Sequence, residues 1–268
     1  CIGGTLLLIG AALLARQSDE RINSVSLFAA QGDFSEAGEI RRFLSDSQLA
    51  FLQALMNDKG YLPTTNMGGA FQSLRASDLV YKPARQRYLM GDEAPLNDLM
   101  SWNADGTRMP CRMHSEYLRK LYLDNDLAEG RYEVDGAPVY ISDIKAPVFA
   151  VGTETDHVAP WQSVYKLHGL VRSELTFLLT SGGHNAGIIS GPSHPRRRHR
   201  VHTQTATDLQ QSPQQWYDSV PETQGSWWPT WYQWLDQHSS GAVKPPRMGA
   251  ARRGYKVIAD APGQFVFG

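Results

Sequence analysis

Apolar runs separated by polar punctuation occur near both ends of the chain and predict alternating helices and strands. Residues 5–15 (TLLLIGAALLA) predict a buried helix that extends to about Arg16. Shorter runs rich in branched and aromatic residues predict buried strands at 22–30 (INSVSLFAA), 148–151 (VFAV) and 175–179 (LTFLL). A helix is predicted at 160–170, between the last two strands. The order indicates an α/β fold with a parallel sheet.

The middle of the chain does not show this alternation. Residues 34–140 combine amphipathic helical pieces with glycine, proline and asparagine punctuation, which predicts an inserted, mostly helical cap. We therefore expect four parts: residues 1–33 and 141–240 form the core, 34–140 the cap and 241–268 a tail rich in glycine, proline and arginine.

Composition narrows the class of protein. The 268 residues carry a net charge of −1 and are 41% hydrophobic, which excludes a disordered chain and gives no overall attraction to nucleic acid or membrane. No run is long enough for a transmembrane segment, and no basic segment precedes the first helix as in a secretory signal. The two cysteines, Cys1 and Cys111, make a disulfide scaffold improbable and favour reduced thiols in a cytosolic protein.

Candidate chemistry lies where the apolar segments begin or end. Cys1 precedes the first helix, and Asp156 and His184 follow the second and third strands. A thiolate attacks, an imidazole takes its proton, and a carboxylate orients the imidazole. The backbone N–H of Ile2, at the start of the helix, is expected to help stabilise an oxyanion. The chain order of nucleophile, acid and histidine is that of the α/β-hydrolase fold.

Each of these residues also has an ordinary structural explanation. Asp156 alone is better explained as a helix cap, His184 as a loop residue, and Cys1 as a sequence boundary. Their order along the chain is what predicts a site. We predict no metal ligands, and we expect His157 to be a structural neighbour of the site.

Three further features have a structural interpretation that we prefer. Trp227, Trp231 and Trp234 have helical spacing, which favours one buried face over a polymer-binding platform. The basic segment 195–200 is expected to be a solvated linker rather than a site for CoA phosphates. Cys111 is expected to be a spectator thiol.

Several motifs, in order along the chain, resemble those of the polyhydroxyalkanoate synthases. Residues 1–5 (CIGGT) match the family's modified lipase box, Gly-x-Cys-x-Gly, from its third position onward. Residues 181–187 read SGGHNAG, where the family typically has a shorter Ser-Gly-His followed by an apolar residue. The other similar segments are 30–38 (AQGDFSEAG), 99–110 (LMSWNADGTRMP), 152–161 (GTETDHVAPW), 212–216 (SPQQW) and 225–231 (GSWWPTW).

The resemblance implies the C-terminal catalytic part of a class I-like synthase with an α/β-hydrolase fold. Such an acyltransferase polymerises (R)-3-hydroxyacyl-CoA through a Cys1-linked intermediate, with Asp156 and His184 as partners. Asp156 either orients His184 or activates the substrate 3-hydroxyl. No cofactor is expected, because CoA is the leaving group, and no substrate-binding residue is identified. The resemblance also implies a homodimer, a cytoplasmic location on polyester granules, and granule-associated partner proteins.

Three alternatives stay open at this point. A thioesterase or polyester depolymerase on the same fold would use the same three residues with water as acceptor. An N-terminal nucleophile hydrolase would use Cys1 with its own α-amine as base. A granule-surface protein without activity would use the tryptophan-rich segment for binding. Because the strands that precede a nucleophile elbow are missing from this sequence, we expect residues 1–268 alone to be inactive.

Overall fold

The computed structural model describes residues 1–74, 76–92, 98–205, 208–261 and 263–264. The side chains of Leu99, Asn103 and Ala104 also lie outside the description. The predicted cap and the predicted tail therefore each fall partly outside the described residues.

The helices begin and end close to the predicted positions where the sequence has clear signals. In chain order they are α1 (Ile2–Arg16), α2 (Asp46–Asn57), α3 (Thr64–Leu74), α4 (Lys82–Leu89), α5 (Asp98–Ala104), α6 (Cys111–Tyr117), α7 (Trp161–Tyr165), α8 (Leu167–Leu170), α9 (Pro213–Ser219) and α10 (Trp228–Gln237). Shorter 3₁₀ and π turns are Glu39–Phe43, Ser77–Tyr81, Leu118–Leu123, Ile141–Asp143 and Ala251–Arg253. The helix predicted at 160–170 is present as two pieces, α7 and α8.

The SPQQW motif is explained by the start of a helix. The Ser212 hydroxyl accepts a hydrogen bond from the backbone of Gln215, and the Gln215 side chain accepts one from the backbone of Ser212. This reciprocal capping box, followed by a proline in the first turn, fixes the N-terminus of α9.

A mostly parallel sheet carries the three predicted strands. The strands are β1 (Val25–Phe28), β2 (Tyr61–Leu62), β3 (Met109–Pro110), β4 (Glu133–Val134), β5 (Ala137–Pro138), β6 (Val148–Thr153), β7 (Leu175–Thr180), β8 (Arg198–Gln204) and β9 (Thr223–Gln224). The central sheet has the order β1-β6-β7-β8-β9, in which β1, β6 and β7 are parallel and β8 and β9 are antiparallel to their neighbours. The mixed α/β architecture is compatible with an α/β-hydrolase fold.

Both faces of the central strands are covered. All six residues of β6 and all six of β7 are buried. On β6, Val148 and Ala150 contribute to one hydrophobic cluster, while Phe149 and Val151 contribute to another on the opposite face. Such continuous burial explains why these strands have uninterrupted apolar runs instead of alternating patterns.

The tryptophan-rich segment packs into the second cluster, as predicted. Trp227 is 1% exposed and Trp234 is 6% exposed, and Trp231 is partly buried beside them. Trp234 lies with its ring centroid 5.3 Å from that of Phe149, so α10 covers this face of the sheet. The burial leaves these rings unavailable as an exposed binding platform.

The prediction of a solvated linker at 195–200 is confirmed for Pro195 and Arg196, which are exposed in a turn, and is wrong from Arg198 onward. Arg198 begins β8, and its guanidinium contacts the carboxylates of Glu154 (2.6 Å) and Glu222 (2.8 Å). The Arg200 guanidinium donates to the Val220 carbonyl oxygen (2.5 Å). The sequence of β8 is mostly polar, so its pattern does not predict a strand. Its place in the sheet depends on pairing with the adjacent strands rather than on apolar residues of its own.

The segment 34–140 is mostly helical in its described residues, with a short hairpin, β4–β5, and a two-stranded antiparallel sheet, β2–β3, between segments far apart in the chain. Helices α3 and α4 have no buried residue, and Tyr88 is 78% exposed. Within the described part of the chain, no helix has the length and apolar character needed to cross a bilayer.

Helix α1 packs closely on β1 at one of its two early glycines. A Cβ on Gly4 would lie 2.4 Å from the Cβ of Ala30, so only glycine permits this approach. A Cβ on Gly3 meets nothing within 4 Å among the described residues. Close packing of helix against sheet therefore requires glycine at Gly4 and not at Gly3.

Candidate active site

The three predicted site residues lie at the carboxyl edge of the parallel strands. Asp156 follows the end of β6, and His184 follows the end of β7, its hydrogen-bonded neighbour. At the end of β1, the Phe28 carbonyl oxygen accepts a hydrogen bond from the backbone nitrogen of Cys1 (2.6 Å). The carboxyl edge of such a sheet is where loops from separate strands meet.

Asp156 and His184 are joined directly. The Nδ1 of His184 lies 2.7 Å from Oδ2 of Asp156. Because a carboxylate oxygen only accepts, this contact assigns the proton to Nδ1 and leaves Nε2 of His184 as the basic nitrogen. The pair has the geometry in which a carboxylate fixes the tautomer of an imidazole.

The Asp156 carboxylate is fully buried, and each of its oxygens accepts two hydrogen bonds. Its side chain is 0% exposed. Oδ1 accepts from the backbone N–H groups of Val158 (2.8 Å) and Ala159 (2.9 Å), and Oδ2 accepts from His184 and from the Thr153 hydroxyl (3.0 Å). A buried carboxylate held by four donors has a fixed orientation and needs no water.

These contacts keep Asp156 ionised. Burial alone raises the pKa of its carboxyl. The hydrogen bond and charge of His184, together with the backbone N–H groups, outweigh burial and hold the pKa below its ordinary value. The pair therefore presents a negative charge to stabilise a protonated imidazole.

Cys1 lies at the same edge with its side chain exposed. Cys1 is the N-cap of α1, so Ile2 is the first helical residue. The backbone N–H of Gly4 donates to the Cys1 carbonyl oxygen (2.9 Å), while the N–H of Ile2 has no acceptor within the helix and lies at the positive end of its dipole. Such a position suits the stabilisation of an oxyanion.

The glycines around His184 explain the longer histidine segment. Gly182 has a positive φ of 106°, which favours glycine, and its carbonyl oxygen accepts a hydrogen bond from the backbone of Thr155 (3.1 Å). A Cβ on Gly187 would lie 2.6 Å from the Thr153 methyl group. The segment is thereby fastened to the loop that carries Asp156.

Sequence reasoning missed Thr153. This residue is buried at the end of β6, where its hydroxyl contacts Asp156 and its methyl group contacts Gly187. A threonine at the end of an otherwise apolar strand, three residues before the aspartate, is the signal that identifies it.

Two other residues considered in the sequence, Cys111 and His157, do not belong to the pair. The thiol of Cys111 is near Asn57 (3.9 Å), in the helical segment. His157 lies beside the site, and its carbonyl oxygen accepts from the backbone of Glu39 (3.4 Å). Among the described residues, no group of three or more His, Cys, Asp or Glu side chains is arranged to hold a metal ion.

Known proteins similar to this chain share one name. No family model matches the chain. A poly(3-hydroxyalkanoate) polymerase subunit of Rhizobium meliloti is 37% identical and that of Rhizobium etli is 36% identical, each over 99% of this chain. The poly(3-hydroxyalkanoate) polymerase of Methylorubrum extorquens is 34% identical over 99% of the chain.

The alignments cover 42%, 41% and 43% of these relatives, so the chain spans about two fifths of their length. Over nearly its whole length the chain is therefore similar to proteins named poly(3-hydroxyalkanoate) polymerase, at 34–37% identity.

Proposed function

We propose that this chain carries the catalytic residues of an acyltransferase that polymerises (R)-3-hydroxyacyl-CoA and releases CoA. The observation that carries the proposal is the bonded pair of Asp156 and His184 at the sheet edge where α1 begins at Cys1. Relatives named as poly(3-hydroxyalkanoate) polymerases align with 99% of this chain, which also supports the proposal. A thiol and an imidazole–carboxylate pair at one sheet edge suit acyl transfer from a thioester.

In the first step, the Cys1 sulfur attacks the thioester carbonyl carbon. His184, through Nε2, takes the thiol proton, and the Ile2 N–H stabilises the oxyanion. The bond between that carbon and the CoA sulfur then breaks. CoA leaves as a thiol with the proton from the imidazolium, and the acyl group stays on Cys1.

In the second step, the 3-hydroxyl of the next substrate attacks the acyl group on Cys1. His184 takes the hydroxyl proton, a new ester forms, and the Cys1 sulfur leaves as a thiol that takes this proton back from the imidazolium. The extended chain is then a CoA thioester, and a repeat of the first step returns it to Cys1 and releases CoA. We assign Asp156 the role of orienting His184 rather than of receiving the hydroxyl proton. Both of its oxygens are already occupied by four donors, and its side chain is 0% exposed, so a substrate hydroxyl has no free oxygen to approach.

For the architecture, we propose an α/β-hydrolase core with residues 34–140 as an inserted cap. The parallel β1-β6-β7 arrangement and the order Cys1, Asp156, His184 support the core. The segment 34–140 supports a cap because it is mostly helical and two of its helices, α3 and α4, have no buried residue. Residues 1–33 and 141–240 form the core in this scheme, and 241–268 form a tail.

The proposed partners follow from the proposed reaction. CoA is a product and no resident cofactor is needed. The growing polyester chain returns to Cys1 after each addition, which supports a cytoplasmic location at the surface of polyester granules. A homodimer and granule-associated proteins complete the proposal.

A hydrolase on the same fold would share the first step and differ in the acceptor. The full-length protein, incubated with (R)-3-hydroxybutyryl-CoA, should release CoA and accumulate insoluble polyester. Cys1→Ala should abolish both, while Cys111→Ala should retain both, because Cys111 lies in the helical segment beside Asn57. Release of free 3-hydroxybutyric acid in place of polymer would establish a thioesterase instead.

A further inference from the structure

The loop that carries His184 is held by side chains that the proposed reaction does not use. Residues 181–197 connect β7 to β8, and the first part of this connection, 181–190, carries His184 and contains Gly182, Gly183 and Gly187. Glycine-rich backbone without a strand or a long helix loses much conformational entropy when it is fixed. Something must therefore hold this loop if His184 is to keep its place beside Asp156.

Arg197 makes the largest set of these contacts. Its guanidinium donates to the carbonyl oxygens of Ala186 (2.7 Å) and Ser181 (3.3 Å) and to the Ser190 hydroxyl (2.6 Å). These acceptors lie before and after His184 in the chain. The planar guanidinium, with five donors in a fixed arrangement, holds both sides of the loop at once, and an ammonium group lacks that arrangement.

The tryptophan-rich segment holds the second half of the same loop. The indole N–H of Trp227 donates to the Gly187 carbonyl oxygen (3.0 Å), and that of Trp228 to the Ile188 carbonyl oxygen (2.9 Å). The Ser226 hydroxyl donates to the Ser190 carbonyl oxygen (2.6 Å). Three consecutive side chains thus satisfy three carbonyl groups of the loop.

The two sets of contacts are linked to each other. The backbone N–H of Gly225, next to Ser226, donates to the carbonyl oxygen of Arg197 (2.6 Å). On the far side of the loop, Gly187 packs on Thr153, which also bonds Asp156. The loop is therefore fixed between the loop of Asp156 and a continuous support made of Arg197 and residues 226–228.

We propose that Arg197, Trp227 and Trp228 are positioning residues that set the place of His184 through the backbone of its loop. The inference rests on the proposed function, because it assigns a role within the same site. The contacts of these three side chains described above are not with the side chain of His184. They are with backbone carbonyl oxygens two to four residues away from it in the chain. Displacement of a catalytic group by about 1 Å lowers a rate by about 10²-fold.

The test compares Arg197→Met with Arg196→Met in the full-length protein. Arg196 is the exposed neighbour, so its variant serves as the matched control. For Arg197→Met we expect kcat for CoA release to fall about 10²-fold, with KM within about twofold, because only His184 is displaced. Arg197→Lys should show a similar loss. Guanidinium ion in the assay should restore part of the activity of Arg197→Ala and none of the loss in His184→Ala.

A second readout does not depend on activity. Amide hydrogen exchange of a peptide that contains 181–190 should become faster in Arg197→Met and unchanged in Arg196→Met. Trp228→Phe, which keeps the ring and removes only the donor, should give a smaller change in the same direction. If Arg197→Met fails to fold, Trp228→Phe takes its place in the exchange measurement.

Wild-type kcat together with unchanged loop exchange in Arg197→Met would overturn the inference, as would a loss of kcat without faster exchange of the loop. If the wild-type protein itself releases no CoA, the proposed function has failed, and the exchange experiment alone then decides whether Arg197 and Trp228 hold the loop.

Discussion

Two regions of the chain differ in how completely they are buried. In β6 and β7 every residue is buried, and these strands place Asp156 and His184. In α3 and α4 no residue is buried. Apolar side chains at the end of α4 are exposed to solvent, including Leu89 (77% exposed) and Met90 (67% exposed). The chemistry is thus built on the region with the densest packing, while the helical segment has little packing of its own.

The difference has a physical reason. A proton transfer needs its groups within a few tenths of an ångström of their working positions, which requires a rigid support. A segment that admits a bulky substrate and a growing polymer instead benefits from low local stability. We expect the predictions below to separate these two roles.

The largest effect is expected at the pair itself. His184→Ala in the full-length protein should lower CoA release on the order of 10⁴-fold, because it removes the base from residues that act as a unit. Tyr88→Ala, in the exposed helix α4, should leave CoA release near the wild-type rate. Steady-state kinetics measure both. A Tyr88→Ala loss as large as that of His184→Ala would contradict the division between the regions.

Asp156→Asn refines the same prediction. An asparagine keeps the shape of the side chain but disfavours the Nδ1 proton of His184, so acylation of Cys1 and chain elongation should slow together. Stopped-flow measurement of the first CoA released, compared with steady turnover, separates the two steps. Normal acylation with blocked elongation would instead assign Asp156 to the substrate hydroxyl.

Hydrogen exchange measures the contrast in packing directly. Amides in Val148–Thr153 and Leu175–Thr180 should exchange at least about 10²-fold more slowly than those in Thr64–Leu74 and Lys82–Leu89. Comparable protection in both sets would remove the basis for a mobile cap.

A smaller effect concerns pH. Burial lowers the pKa of His168, which stacks on Tyr165 beneath β7, to about 4. Below pH 6.5 the unfolded chain therefore binds a proton that the folded chain does not bind until about pH 4. As the pH is lowered from 6.5 to about 4, the free energy of unfolding should therefore fall by up to about 1.4 kcal/mol per pH unit.

Denaturant titrations at several pH values measure this slope. His168→Asn retains a donor for the Tyr165 carbonyl oxygen and removes the titration, so its slope should be flatter. His194→Asn, outside the sheet, serves as the control and should keep the wild-type slope. Equal slopes in His168→Asn and the wild-type protein would show that His168 does not contribute.

The sequence predicts the buried strands well because their residues are apolar regardless of what lies beside them. The patterns VFAV and LTFLL mark β6 and β7 within two residues of their ends. It fails for β8, whose sequence RHRVHTQ has few apolar residues. The arginines of this strand are neutralised by Glu154 and Glu222, which come from distant parts of the chain, and no local pattern reveals such pairs.

The candidate site shows the same limit. The order of Cys1, Asp156 and His184 is visible in the sequence because each follows or opens an apolar element. Among the residues that hold them, Thr153 leaves a signal as a hydroxyl at the end of an apolar strand, three residues before Asp156. Arg197 leaves none, because it donates mainly to backbone carbonyl oxygens, which carry no residue-type signal.

The central claim is that Cys1 carries the acyl group. The most direct measurement reacts the full-length protein with (R)-3-hydroxybutyryl-CoA, quenches in acid within the first turnover, and maps the adduct by peptide mass spectrometry. The account predicts the mass of one 3-hydroxybutyryl group on the peptide that contains Cys1, none on the peptide that contains Cys111, and no adduct in Cys1→Ala. CoA release and polymer formation that persist in Cys1→Ala would contradict it.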